Sequence, residues 1–152
     1  MSSGEFGKLS THLGYLLHRL DAVLMRKASA AFDSLGLTPA RATAAVYIGL
    51  HEGCDQAELG RALGINRAST MKVVNELVAI GVVARREGRN LRSNALHLTK
   101  RGQGLRQEIE AMSARTDAAH FGVLTRQEQA DLRRLLIKLY AAAGNEDEHG
   151  TE

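Results

Sequence analysis

The sequence predicts a mainly α fold carrying one small β-hairpin. Three observations predict it. Apolar residues recur at three- and four-residue steps along most of the chain, capping residues and glycines interrupt them at helix-length intervals, and only residues 82–86 and 95–98 look like strands. At 152 residues, 44% apolar and 24% charged, the chain suits one domain with its own core rather than a disordered polymer. The longest mainly apolar run, residues 42–50, falls far short of the roughly 18 residues of a membrane span. No basic start followed by an apolar core and a small-residue cleavage site marks export, so a soluble, cytoplasmic protein with no membrane partner is expected.

The elements follow in order. Leu9, Leu13, Leu16, Leu17, Leu20, Val23 and Leu24 form the apolar face of a first helix over residues 8–35, which Gly36 ends. Thr38 and Pro39 open a second helix, a hydroxyl cap followed by a ring whose fixed φ suits the first turn; it runs to His51, and Gly53 closes it. Asp55 caps a short third helix, 56–63, with Leu59 and Leu63 inward, and Gly64 supplies the sharp exit. Asn66 caps a fourth over 67–80: Thr70, Val73, Val74 and Leu77 face inward, Arg67, Ala68, Met71, Lys72 and Asn75 outward. Two short helices around a Gly-containing turn, the second polar and basic outside, make a helix-turn-helix whose second helix is the reader. After Gly81 come the two strands, around a long basic tip at residues 87–94. Thr99 caps a helix over 100–121. Thr125, with Glu128 completing a capping box, opens a last helix to Ala143. Residues 144–152 hold four acids and no base and are expected to be a disordered tail.

Charge singles out the same central region. Residues 61–106 contain ten Lys or Arg against Glu76 and Glu87, a net of +8 in a chain whose total is +3, which leaves −5 for the remainder. Phosphate affinity depends on local cation density, so this segment suits a polyanion; a solvated basic face is the alternative.

The residues carry a family resemblance. Asp55-Gln56-Ala57-Glu58-Leu59-Gly60, then Leu63-Gly64-Ile65-Asn66-Arg67-Ala68-Ser69-Thr70, Leu77, Gly81, Arg85-Arg86 and Leu98-Thr99-Lys100-Arg101-Gly102, after two leading helices, resemble the MarR family of winged helix-turn-helix transcription regulators. The resemblance spans nearly the whole chain. It implies a winged helix-turn-helix at 38–99 plus a helical dimerisation region built from 8–35 and 100–143. It also implies a homodimer on a pseudo-palindromic operator, acting as a repressor that lets go when a small aromatic or phenolic ligand binds between the dimerisation helices and the winged domain.

Groove dimensions accord with that expectation. A helix enters a major groove roughly 12 Å wide, and short side chains at Ala68 and Ser69 allow close approach. Arg67, Ser69, Met71, Lys72 and Asn75 form the groove-facing set, with Arg67 and Lys72 reaching guanine edges or phosphates and Met71 a thymine methyl. Gln56 can donate to phosphate from the start of the third helix. In the wing, strand alternation sends Arg85 and Arg86 to opposite faces. The family's wing carries an Asp-x-Arg pattern, but here the positions read Asn90-Leu91-Arg92, and Glu87-Gly88 makes the wing one residue shorter. Arg92, helped by Arg89, is the expected minor-groove contact.

For the effector, Tyr15 and Arg19 lie four apart on one face of the first helix, where a guanidinium beside a phenol suits an aromatic carboxylate. His12 and His18 flank that face; Arg41 and His51 are further candidates from the second helix. Ordinary surface or dimer contacts are the alternative for each. Six scattered His and a single Cys, Cys54, give no metal-ligand spacing, and no cofactor is expected. Without a Gly-rich phosphate loop, a nucleophile elbow or catalytically spaced acids and His, an enzyme is not expected. A winged-helix protein-interaction or architectural module without a small-molecule effector stays open as the second reading.

Overall fold

A computed structural model describes residues 7–87 and 94–149. A 3-10 turn, Gly7–Thr11, precedes α1 Leu13–Asp33, α2 Pro39–Leu50, α3 Gln56–Leu63, α4 Arg67–Ala79, β1 Val83–Glu87, β2 Asn94–Leu98, α5 Lys100–Phe121 and α6 Arg126–His149. The mainly α fold with one antiparallel hairpin is thus the one the sequence predicts. Met1–Ser113 and Ala114–Glu152 are two compact units, and α5 contributes to both.

Two boundaries differ from expectation by five residues or more, the others by two at most. The first helix begins at Leu13 rather than at residue 8. The Ser10 and Thr11 hydroxyls donate to the carbonyls of Gly7 and Lys8, offering the backbone a local alternative to the α ladder, and His12 caps α1 with no side-chain bond. At the other end α6 continues to His149, past the expected stop at 143 and into the segment taken for a tail. Ala141, Ala142 and Ala143 are strong helix formers, and a single Gly at 144 costs only about 1 kcal/mol against Ala, too little to end a helix by itself.

The first unit is built on caps. Thr38 Oγ1 accepts from Arg41 N, and Asp55 accepts from Ala57 N and Glu58 N while Glu58 reaches back to Asp55 N. Asn66 Oδ1 accepts from Ser69 N. Gly64, at φ +64, turns the chain between α3 and α4 in the left-handed region where glycine is favoured. Gly60 lets the two helices touch, since a Cβ there would stand 2.8 Å from Thr70 Oγ1. Ile48, Leu59, Val74, Leu77, Val82, Leu96 and Ile109 are fully buried between α2, α3, α4, the hairpin and α5. The hairpin register pairs Val83 with Leu98 and Arg85 with Leu96. A short extra rung was not anticipated: Gly53 N donates to Leu96 O, and Leu96 N donates to Cys54 O, so the segment before α3 edges the sheet.

Cys54 is consequently buried, and that burial, helped by Glu58 and Asp55, raises its thiol to about 11. A neutral thiol is a poor nucleophile. A thiol reagent at pH 8 is expected to modify the native protein far more slowly than the chain in denaturant; equal rates would contradict the burial.

In the second unit, α6 starts on the Thr125–Glu128 capping box, and Gln129 Nε2 donates to the carbonyls of Phe121 and Leu124. Leu135, Leu136, Ile137, Leu139 and Tyr140 are exposed along α6. In the first unit Leu9, Leu13, Leu16, Leu17 and Leu20 are exposed likewise. Apolar runs of this extent mark interaction surfaces rather than solvated faces.

Candidate nucleic-acid interface

The reader helix presents the face its sequence assigns. Thr70, Val73, Val74 and Leu77 are buried, which orients α4 so that Arg67, Ala68, Ser69, Met71, Lys72 and Asn75 are all exposed. Thr70 is the one buried polar side chain among the described residues; its hydroxyl donates to Asn66 O, closing the first turn of the helix. Met71, 50% exposed in the middle of this polar face, offers an apolar surface there, which suits an apolar contact to a partner. Gln56 stands half-buried at the first position of α3.

In the wing, Arg85 and Arg86 are both exposed on β1. Val83 and Arg85 share one face with their cross-strand partners, the buried Leu98 and Leu96, and Arg86 takes the other face, as alternation predicts. Arg85 extends to α4, where its Nη2 donates to Asn75 Oδ1 at 2.5 Å. Arg89 and Arg92, with Asn90 and Leu91, lie outside the described residues.

The MarR family model matches residues 35–92. The HTH-type transcriptional repressor Rv2887 of Mycobacterium tuberculosis is 35% identical over 131 residues, which cover 84% of this chain and 92% of the relative. The chain belongs to the MarR family. Its fold is similar to that of Rv2887 in complex with DNA (TM-score 0.70, 35% identity, 84% of this chain and 96% of that one). It is similar also to Rv2887 in complex with salicylic acid (TM-score 0.69, 35% identity, 84% and 95%). A third similar structure is the transcriptional repressor CouR bound to a 23-mer DNA duplex (TM-score 0.83, 25% identity, 89% and 96%). MarR-family regulators are DNA-binding transcription factors, and among the described residues no helix is long and apolar enough to cross a membrane and no metal-binding cluster occurs.

In this MarR-family chain the residues proposed from sequence for an effector do not gather into one cluster. Tyr15, half-buried, and Arg19, exposed, share a face of α1, with His18 exposed beside them and His12 exposed at the helix cap. Arg41 and His51 stand at opposite ends of α2, about 15 Å apart along its axis. His51 stacks on Tyr47, ring centroids 4.4 Å apart. Arg41 is already engaged: its Nε and Nη2 both lie 2.7 Å from Glu76 Oε2, tying α2 to the reader helix.

That pair, which sequence reasoning missed, has a pH signature. The hydrogen bond from Arg41 holds the Glu76 carboxyl below its ordinary value, helped by the charges of Arg41 and Lys72. A depressed carboxyl stabilises the fold fully above its unfolded pKa of about 4.3, and the contribution vanishes as pH falls through the lower native value. Arg41→Met is therefore expected to flatten the acid limb of a stability-versus-pH curve below about pH 5. Acid limbs of identical slope in the two proteins would remove the pair from the account.

A second missed residue is Arg106, whose Nη1 donates to Gly49 O at 2.7 Å while its Nε donates to Glu110. It satisfies a carbonyl in the last turn of α2, so one of the ten cations of the basic segment serves the fold.

Proposed function

We propose that the protein is a homodimeric, sequence-specific repressor that binds double-stranded operator DNA through α4 and the wing and leaves it on binding a small aromatic acid. The observation that carries the reading is the buried stripe of α4, which leaves Arg67, Ser69, Met71 and Lys72 exposed together at the start of a reader helix. The DNA complexes of Rv2887 and CouR support the DNA partner, and the salicylic acid complex of Rv2887 supports the ligand class. Gln56, Ala68, Arg85, Arg86, Arg89 and Arg92 extend the DNA surface in this proposal. The exposed leucines of α1 and of α6 are the surfaces a second copy would cover, in keeping with dimerisation helices at 8–35 and 100–143. The chromosome it would regulate places its work in the cytoplasm.

Release follows if the ligand prefers a dimer whose reader helices are not spaced by the roughly 34–36 Å between half-sites. Tyr15 and Arg19 are the proposed ligand contacts, with His12 and His18 beside them on the first helix and Arg41 and His51 as further candidates from α2. The test uses a duplex selected from a random pool by the protein itself. Millimolar salicylate is expected to release it, and Arg19→Ala to blunt the release while leaving the affinity for DNA. Failure to enrich any duplex would favour a protein-interaction module; release undiminished in Arg19→Ala would discard Arg19 as a ligand contact.

A further inference from the structure

We infer that Asn75 acts on DNA through Arg85: it is a positioning residue that pins the Arg85 guanidinium to the reader helix, and Arg85 makes the contact to the phosphate backbone. The inference rests on the proposed DNA-binding role and changes what the sequence suggests for Asn75, a side chain reading the groove itself.

The observation is the bond from Arg85 Nη2 to Asn75 Oδ1, 2.5 Å long and joining two exposed side chains. A guanidinium has donors only, so the amide must turn its oxygen, not its NH2, toward Arg85. An Asn that reads adenine uses that oxygen and the NH2 together, on N6 and N7. With its oxygen held by Arg85, Asn75 is not free to present both. Its place on the helix agrees, because eight residues beyond Arg67 put it about 12 Å along the axis, away from the N-terminal turn that enters a groove most deeply.

Arg85 gains what Asn75 gives up. It leaves β1 from the face shared with Val83, the side packed toward α4, whereas Arg86 leaves from the other. One of its five N–H groups goes to Asn75, and the remaining four stay in one rigid plane that matches a phosphate. A long exposed side chain held in this way has already given up rotamer freedom that a loose one surrenders on binding.

The experiment is a double-mutant cycle by fluorescence anisotropy at several salt concentrations, on the selected duplex and on a random-sequence duplex of equal length. Asn75→Ala should weaken binding about 3- to 10-fold on both duplexes. Arg85→Ala should weaken it about 10-fold and lower the log-log salt slope by about one per protomer. In the Arg85→Ala background, Asn75→Ala should have no further effect, and its melting temperature should stay near that of the parent. The inference is overturned if the Asn75→Ala loss persists without Arg85, if it is confined to the selected duplex, or if Asn75→Ala leaves binding unchanged. Failure of the unsubstituted protein to select any duplex would instead overturn the DNA-binding role beneath it.

Discussion

Gly102→Ala is expected to lower the melting temperature by about 6 °C, whereas Gly104→Ala, two residues along the same helix, should raise it by 1–3 °C. At Gly102 an added methyl would overlap the carbonyl oxygen of Val82 and crowd Leu98 Cδ2. The obstruction is backbone and cannot swing aside. Val82 O also accepts from Thr99 N, and Thr99 Oγ1 accepts from Gly102 N, so moving either segment breaks the start of α5 from the hairpin. Overpacking of this kind costs about 3 kcal/mol, against about 1 kcal/mol gained from better helix propensity. A net of about 2 kcal/mol corresponds to about 3 °C per kcal/mol for a domain of this size. Nothing lies within 4 Å of a Cβ at Gly104, so only the propensity gain remains there. Differential scanning calorimetry of the two variants checks the opposite signs; shifts of the same sign would mean that α5 does not approach Val82 as described.

The second large effect falls on DNA. Arg67→Ala is expected to weaken the selected operator by on the order of 100-fold, because a well-placed Arg is worth about 1–3 kcal/mol per half-site and the change enters both protomers. The same substitution should weaken a random duplex much less. Lys72, one turn and more along and exposed, is proposed as a phosphate contact, so Lys72→Ala should weaken both duplexes alike and flatten the salt dependence. Anisotropy titrations on the two duplexes separate the outcomes. Equal losses on both duplexes for Arg67→Ala would make it a backbone contact, and no loss at all would remove α4 from the interface. The fold should survive either change, since both side chains are exposed and outside the core.

Much of this was legible in the chain because the signals are local. The caps at Thr38, Asp55, Asn66, Thr99 and Thr125 act over two to four residues, and each forms the expected bond. The reader face follows from one stripe of four inward residues, since burying Thr70, Val73, Val74 and Leu77 leaves α4 no other orientation. The ends were less legible. Before Leu13 the Ser10 and Thr11 hydroxyls compete with the helix for backbone carbonyls, and after Ala143 no breaker is strong enough to stop it.

The linear order of residues determined the family, the helix-turn-helix and which side of α4 is left exposed, because periodicity and capping are decided by near neighbours. Only the tertiary structure decided the pairings that tie those parts together. Arg85 meets Asn75 across ten residues, Arg41 meets Glu76 across 35, and Arg106 meets Gly49 across 57. Each depends on how a hairpin or helix lies on its neighbour, a matter of packing that no local spacing encodes. These pairs separate cations that serve the fold, Arg41 and Arg106, from Arg85, which is held at the surface with donors to spare.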